Sequence, residues 1–273
     1  MTQQPMPRAG AQADNGRPLA VVTGATAGIG KVFCERLAAR GYDLIVVARD
    51  GNRLEAMKQD LEKRHGIGVE VFPADLTIDT DVSLLAERLS RSGNLALLVN
   101  NAGFGAIGTL ANASPSRQEA MIQLHVMTPM RLTQAALPVL LQNGRGAIVN
   151  VSSVASFIYS AGNVNYCATK AYLTSFSEGL AAELAGTGVK VQALCPGFTR
   201  TEFHQRMELD VNDIAPGMWM SAESVVDSSL RNLDRGWPVV CIPGVRYKLM
   251  VLLIRFFPRR LLGRITNRRP RPV

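Results

Sequence analysis

The chain has 273 residues and is 47% hydrophobic, enough for one sizeable α/β core but not for a second full domain. Its net charge of +8 is unevenly placed. Of 30 Lys and Arg, nine fall in positions 245–273, which contain no Asp or Glu, leaving 21 basic against 22 acidic residues elsewhere. A nucleic-acid binder needs a basic face on its folded body, and this composition argues against one. Residues 1–17 are polar, rich in Gln, Gly and Pro, and lack an apolar run, so they read as a disordered leader rather than a signal peptide. Cys34, Cys167, Cys195 and Cys241 are scattered without C-x-x-C spacing, which suggests reduced thiols and a cytoplasmic setting. His65, His125 and His204 form no spaced cluster, so no metal site is expected.

Short apolar runs at 19–23, 43–48, 69–73, 95–99, 147–152, 189–195 and 239–242 predict strands. Several are apolar nearly throughout, as in parallel sheets covered on both faces. Between them, 29–40, 53–64, 82–91 and 117–142 carry apolar residues at helical spacing. Seven strands alternating with helices predict one domain over 18–244, a doubly wound Rossmann fold with a parallel seven-stranded sheet. The pattern breaks over 199–220, a stretch long enough to serve as a substrate lid.

Directly after the first strand comes T-G-A-T-A-G-I-G, which leads into a helix. Small residues let the backbone approach a pyrophosphate, and the helix N-terminus offers amide donors and a favourable dipole. Taken alone, this could also be an ordinary tight turn. About 20 residues further on, where NAD binders place a carboxylate for the ribose hydroxyls, stand Ala48 and Arg49. A guanidinium there suits the 2′-phosphate of NADPH. The plainer reading makes Arg49 a surface charge at a strand end.

Further motifs follow in order: Asp75-Leu76, Asn100-Asn101-Ala102-Gly103, Ser153, Tyr166 with Lys170 four residues on, and Pro196-Gly197. Ser153 precedes Tyr166 by thirteen positions. From about Leu19 to Thr201 the chain resembles the short-chain dehydrogenase/reductase family. The residue types suit carbonyl chemistry independently. A tyrosine is a poor acid–base group unless its pKa is shifted. Lys170 lies one helical turn from Tyr166 and can stabilise its phenolate, and Ser153 can hold the carbonyl oxygen. Ser152 reads as a strand-end hydrogen-bonding residue rather than the catalytic serine. The resemblance further implies that Gly24, Thr26, Ala27, Gly28, Ile29 and Gly30 cradle the pyrophosphate. Asp75 and Leu76 would border the adenine, with Asn101, Ala102 and Gly103 along the ribose. Pro196, Gly197, Phe198 and Thr199 would line the nicotinamide side, and Thr201 would cap a carboxamide or phosphate. Lys170, beside Tyr166, would also reach the nicotinamide ribose. A homo-oligomer, dimer or tetramer, is expected on the same ground.

One position departs from the family. His125 stands where an asparagine usually completes the catalytic set. In family members that position helps hold a water joined to the lysine, partly through its main-chain carbonyl. His125 could add a proton relay, or be a helix histidine with satisfied hydrogen bonds. The apolar residues of 199–220 favour a greasy substrate. A segment continuing beyond position 245 is similar to ketoacyl and lipid-carbonyl reductases, which implies an acyl, sterol-like or polyketide-like substrate or an acyl-carrier partner. The same segment reads either as a peripheral membrane contact or as a helix folded back as a pocket lid or dimer contact. Competing activities are a non-catalytic NADP(H) sensor, for which the intact Ser153–Tyr166–Lys170 set is unneeded, and an epimerase or alcohol oxidase on the same scaffold.

Overall fold

The computed structural model describes residues 16–202, 215–236 and 238–256. The sequence-predicted leader thus lies almost wholly outside the described residues, as do 203–214 of the predicted lid. Seven parallel strands form one sheet in the order β3-β2-β1-β4-β5-β6-β7. They are β1 (Leu19–Thr23), β2 (Asp43–Ala48), β3 (Val69–Pro73), β4 (Leu95–Asn100), β5 (Gly146–Val151), β6 (Val189–Leu194) and β7 (Val240–Cys241). The expected single doubly wound domain is therefore present. The first three strands coincide with their predicted limits, and the ends of the others differ by at most one residue.

Alternation along the strands builds two cores. Ala20, Val22, Leu44, Val46 and Val99 face one way, with Phe33, Leu37, Val225 and Leu230 packed over them. Leu19, Val21, Ile45, Leu98 and Ile148 face the other, under Leu85, Leu132 and Leu180. The first layer comprises α1 (Gly28–Ala39), α2 (Gly51–His65) and α7 (Ala222–Arg235), and the second α3 (Asp79–Ser90), α5 (Thr128–Gln142) and α6 (Val164–Glu183). An ion pair from Arg36 to Asp227 at 2.8 Å ties α1 to α7. Strand order reverses between β1 and β4, which opens a crevice at their carboxyl ends, the usual ligand position in such sheets.

The predicted helix over 117–142 is not continuous. It is α4 (Pro115–Ile122), a π turn (Gln123–Met127) and α5. Pro129 has no N–H, so the α-helical bond to the His125 carbonyl cannot form, and the chain widens at that turn. The last helix, α8 (Val245–Phe256), follows β7 directly.

A buried polar row fixes α6 against the sheet. Asn100 Nδ2 donates to Asn150 Oδ1 at 2.9 Å, and Asn150 Nδ2 donates to Ser177 Oγ at 3.0 Å. At the other end of the crevice, α1 presses on the first loop so closely that a Cβ on Gly30 would overlap the Gly24 carbonyl oxygen. That oxygen belongs to backbone and cannot move aside as a flexible side chain would. Gly30→Ala is expected to cost at least about 2 kcal/mol by overpacking. Thermal unfolding checks this: a midpoint lower by several degrees is expected, and an unchanged midpoint would show that the helix and loop have slack.

Candidate active site

Thr23, the last residue of β1, organises the cofactor end of the site. Its hydroxyl donates to Val99 O and accepts from the backbone N–H groups of Asn101 and Ala102 at 2.9 and 3.0 Å. Asn101 returns the contact, its Nδ2 donating to Thr23 O at 2.9 Å and Gly24 O at 3.2 Å. The loop after β4 and the glycine loop after β1 are thus interlocked. Thr201 packs its methyl against Gly28, where a Cβ would lie 2.8 Å from it. The cradle formed by 24–30 is closed on the far side by this residue.

Arg49 is exposed at the end of β2, 4.0 Å from an Asp75 carboxylate oxygen. Asp75 Oδ1 also accepts from the Thr77 N–H and hydroxyl, and Leu76 O accepts from Thr128 Oγ1 at 2.8 Å. A second guanidinium at this edge was not singled out from the sequence. Arg53 Nη2 donates to Thr26 O at 2.8 Å and to Glu202 Oε1 at 2.9 Å, so it clips the glycine loop to the chain after Thr201. An arginine two positions into a surface helix carries no sequence pattern that marks it.

The catalytic end forms where β5 and α6 meet. After Val151, Ser152 N donates to Leu194 O and Val154 N to Pro196 O, so the strand end stays stapled to β6. Ser152 Oγ donates to Lys170 O at 2.8 Å, a structural role consistent with its sequence reading. Ser153 Oγ accepts from Ala155 N at 3.1 Å and is hydrogen-bonded to the Tyr166 side chain. Lys170, only 5% exposed, donates from Nζ to Val151 O at 2.9 Å. Its ammonium lies 5.7 Å from the Tyr166 ring centroid. Burial drives Tyr166 up to about 12, against the opposing pull of the Ser153 bond. Burial also drives Lys170 down to about 8. Ser153, Tyr166 and Lys170 are therefore in one place.

His125 is buried beneath them. Its Nε2 accepts the Phe104 N–H at 3.1 Å, while Nδ1 lies 3.1 Å from Thr169 Oγ1. Thr169 in turn donates to Tyr166 O at 2.9 Å, so the Thr169 oxygen is left to accept. The imidazole is accordingly the neutral Nδ1–H tautomer, assigned from its partners. Burial, then the nearby Lys170 charge, holds its pKa well below the usual histidine value. Neither Thr169 nor Phe104 bears a motif that sequence reading would have flagged.

Pro196, Gly197, Phe198 and Thr199, expected on the nicotinamide side, run from β6 to an isolated bridge between Thr199 and Met220. That bridge closes the neck of the predicted lid. Tyr247, from α8, accepts the Phe198 N–H at 2.9 Å and donates to Met218 O at 2.6 Å. Its ring lies flat enough on Gly197 that a Cβ there would overlap it.

The described residues thus present a glycine cradle at a helix N-terminus, a buried ammonium with one backbone acceptor, and a tyrosine poised by a serine. This donor set suits a dinucleotide and a carbonyl oxygen. Comparisons with known proteins agree. A family model described as short chain dehydrogenase matches residues 18–217. A short-chain dehydrogenase from Sphingobium yanoikuyae, solved in complex with NADPH, is 35% identical with a TM-score of 0.80 and covers 94% of this chain and 98% of its own. The bulky-bulky ketone specific alcohol dehydrogenase from Comamonas testosteroni is 31% identical, TM-score 0.76, covering 94% and 96%. A sulfoacetaldehyde reductase from Chromohalobacter salexigens is 38% identical over 187 residues, 67% of this chain and 72% of that one. The chain belongs to the short-chain dehydrogenase family of oxidoreductases.

Proposed function

We propose that this protein is an NADPH-dependent reductase that interconverts a carbonyl and an alcohol on a bulky, hydrophobic substrate, of acyl, sterol-like or polyketide-like character. The observation that carries the reaction is the Tyr166 side chain, hydrogen-bonded to Ser153 above the buried Lys170 ammonium. NADPH, when bound, supplies the hydride. Residues 24–30 would hold its pyrophosphate, Arg49 its 2′-phosphate and Lys170 its nicotinamide ribose. Ser153 holds the carbonyl oxygen and Tyr166 gives that oxygen its proton. Burial keeps Tyr166 protonated through the neutral range, which suits an acid, and Lys170 steadies the phenolate it leaves. The hydrophobic substrate is supported by Phe198 against Trp219 at the mouth, with ring centroids 5.9 Å apart. One relative takes bulky ketones and another a small sulfonated aldehyde, and this aromatic pair favours the former class. The oligomer belongs to the same reading, with Tyr172 stacked on Phe176 on the outer face of α6 as a patch for a second copy.

Tyr166→Phe keeps the ring but removes the transferable proton. NADPH binding should persist while turnover falls about 10²–10⁴-fold. Turnover within a few-fold of wild type would remove Tyr166 from the mechanism.

Arg49→Asp puts a carboxylate where the 2′-phosphate is expected. The preference for NADPH over NADH should then weaken or reverse, by on the order of 2 kcal/mol. Equal binding of NADH and NADPH by wild type would show that Arg49 is a surface charge.

His125 acts as a neutral clamp, pinning the Phe104 loop to the helix of Tyr166. The pH profile of kcat/KM for reduction should therefore show no inflection near 6.5. It should fall only as Lys170 loses its proton, above about pH 8. His125→Asn should retain turnover within about tenfold and leave that profile's shape unchanged. An acid limb near 6.5 that disappears in the variant would mean the imidazole carries protons.

A further inference from the structure

Helix α8 has two unlike sides. Tyr247 and Val251 are buried, with Tyr247 on the Gly197–Phe198 backbone. Val245, Leu249, Leu252, Leu253 and Phe256 are each between 52% and 82% exposed. At 3.6 residues per turn these five fall within an arc of roughly 100° on the outer side. A contiguous apolar stripe of this kind on a surface helix requires an occupant. Arg246 and Lys248 are exposed and flank the arc on either side.

A second feature adjoins it. A cleft of about 230 Å³ lies between α7, β7 and the start of α8. Arg231, Arg235 and Lys248 line it, and no acidic residue does. The sequence onward from α8 adds further Arg, nine basic residues and no acidic one over 245–273. Apolar stripe, flanking cations and cationic cleft together match acyl chains beneath anionic phosphate headgroups. They do not match a second copy of the chain. A two-fold contact through this face would set Arg246 and Lys248 against cations of the copy. Nor does α8 cross a bilayer: no helix among the described residues is long and apolar enough.

We propose that the outer face of α8, with the cationic cleft beside it, docks the protein onto an anionic lipid surface, from which its lipophilic substrate reaches the site. The docking deepens the hydrophobic-substrate reading and rests on it for its purpose, but not for its test. Through Tyr247, the helix that meets the lipid is also the wall of the nicotinamide-side loop. A ketone dissolved in the lipid would then pass to Tyr166 with little exposure to water.

The test is co-sedimentation of the full chain with vesicles of phosphatidylcholine alone or of phosphatidylcholine with phosphatidylglycerol. Wild type should pellet with the phosphatidylglycerol vesicles at low salt. It should be released at about 1 M salt, where the screening length shrinks to roughly 3 Å. The double variant Leu249→Glu with Leu253→Glu should lose at least tenfold in vesicle partitioning. The triple variant Arg231→Ala, Arg235→Ala and Lys248→Ala should lose most of the preference for phosphatidylglycerol. NADPH-dependent reduction of a water-soluble ketone without vesicles should be unchanged in both, which separates docking from the reductase reading. Wild type left in the supernatant at low salt overturns the proposal, as does equal binding to both vesicle types or no effect of either variant. If wild type ignores vesicles while the glutamate variant converts a larger oligomer to a smaller one, the face is a contact between copies and the proposal again fails. Should a variant lose NADPH binding through misfolding, the wild-type lipid and salt comparison decides alone.

Discussion

The site is organised around one buried positive charge. An ammonium held at 5% exposure loses most of its hydration, and burial of an ion costs several kcal/mol unless its surroundings repay it. Among the described residues, the repayment is one backbone acceptor, Val151 O at 2.9 Å. The depressed pKa expresses the shortfall. Because the folded value is about 8 and an unfolded lysine titrates higher, the cost to stability is full below about pH 8, fades as pH rises from there, and is gone above the unfolded value. A group that is electrostatically underserved in the free protein is one that a ligand can serve. Under the proposed mechanism, ribose hydroxyls and a developing phenolate would both be acceptors, so binding and reaction would each relieve a penalty that folding leaves in place.

Other features follow from that charge. Lys170 is close enough to His125 to disfavour protonation of the imidazole, and with both ring nitrogens engaged it stays neutral. An imidazolium would have to lose the Phe104 N–H bond as well as face the ammonium. A histidine can therefore replace an asparagine here without adding a second charge to the site. The π turn carries His125, since Pro129 denies the His125 carbonyl its α-helical partner. Gly103 is part of the same fit, for a Cβ there would sit 2.8 Å from His125 Nε2.

Much of this was legible in the residues. Strands buried on both faces give runs such as Leu-Ile-Val-Val, whose apolar character needs no tertiary knowledge, and β1, β2 and β3 fall on their predicted limits. Tyr166 and Lys170 were legible because a four-residue spacing puts both on one helix face, and Ser153 because its place thirteen positions earlier resembles the family's pattern. What stayed hidden depends on contacts between distant segments. Nothing local marks Arg53 as the partner of Thr26 and Glu202, or Thr169 as the link from His125 to Tyr166. The break at Gln123–Met127 was concealed because apolar spacing of three and four continues through it. Pro129 was the available clue.

The C-terminal helix shows the same limit more sharply. From 245 onward the sequence supports either inward packing or an outward surface, because Leu, Ile and Phe serve both. The structure divides α8 between the two uses: Tyr247 and Val251 turn inward, and the leucines with Phe256 turn outward. The inward contact is not generic packing, since the Tyr247 hydroxyl accepts the Phe198 N–H and donates to Met218 O, one on each side of the Thr199–Met220 bridge. Any force that shifts α8 therefore reaches the 196–199 loop through hydrogen bonds of 2.6 and 2.9 Å, with Gly197 leaving no slack between ring and backbone. A helix anchored this way cannot expose five apolar side chains for the sake of its own stability, because burying them inward would displace Tyr247. The exposure is a consequence of holding Tyr247 against Gly197 and Phe198, and it leaves the outer face of α8 open.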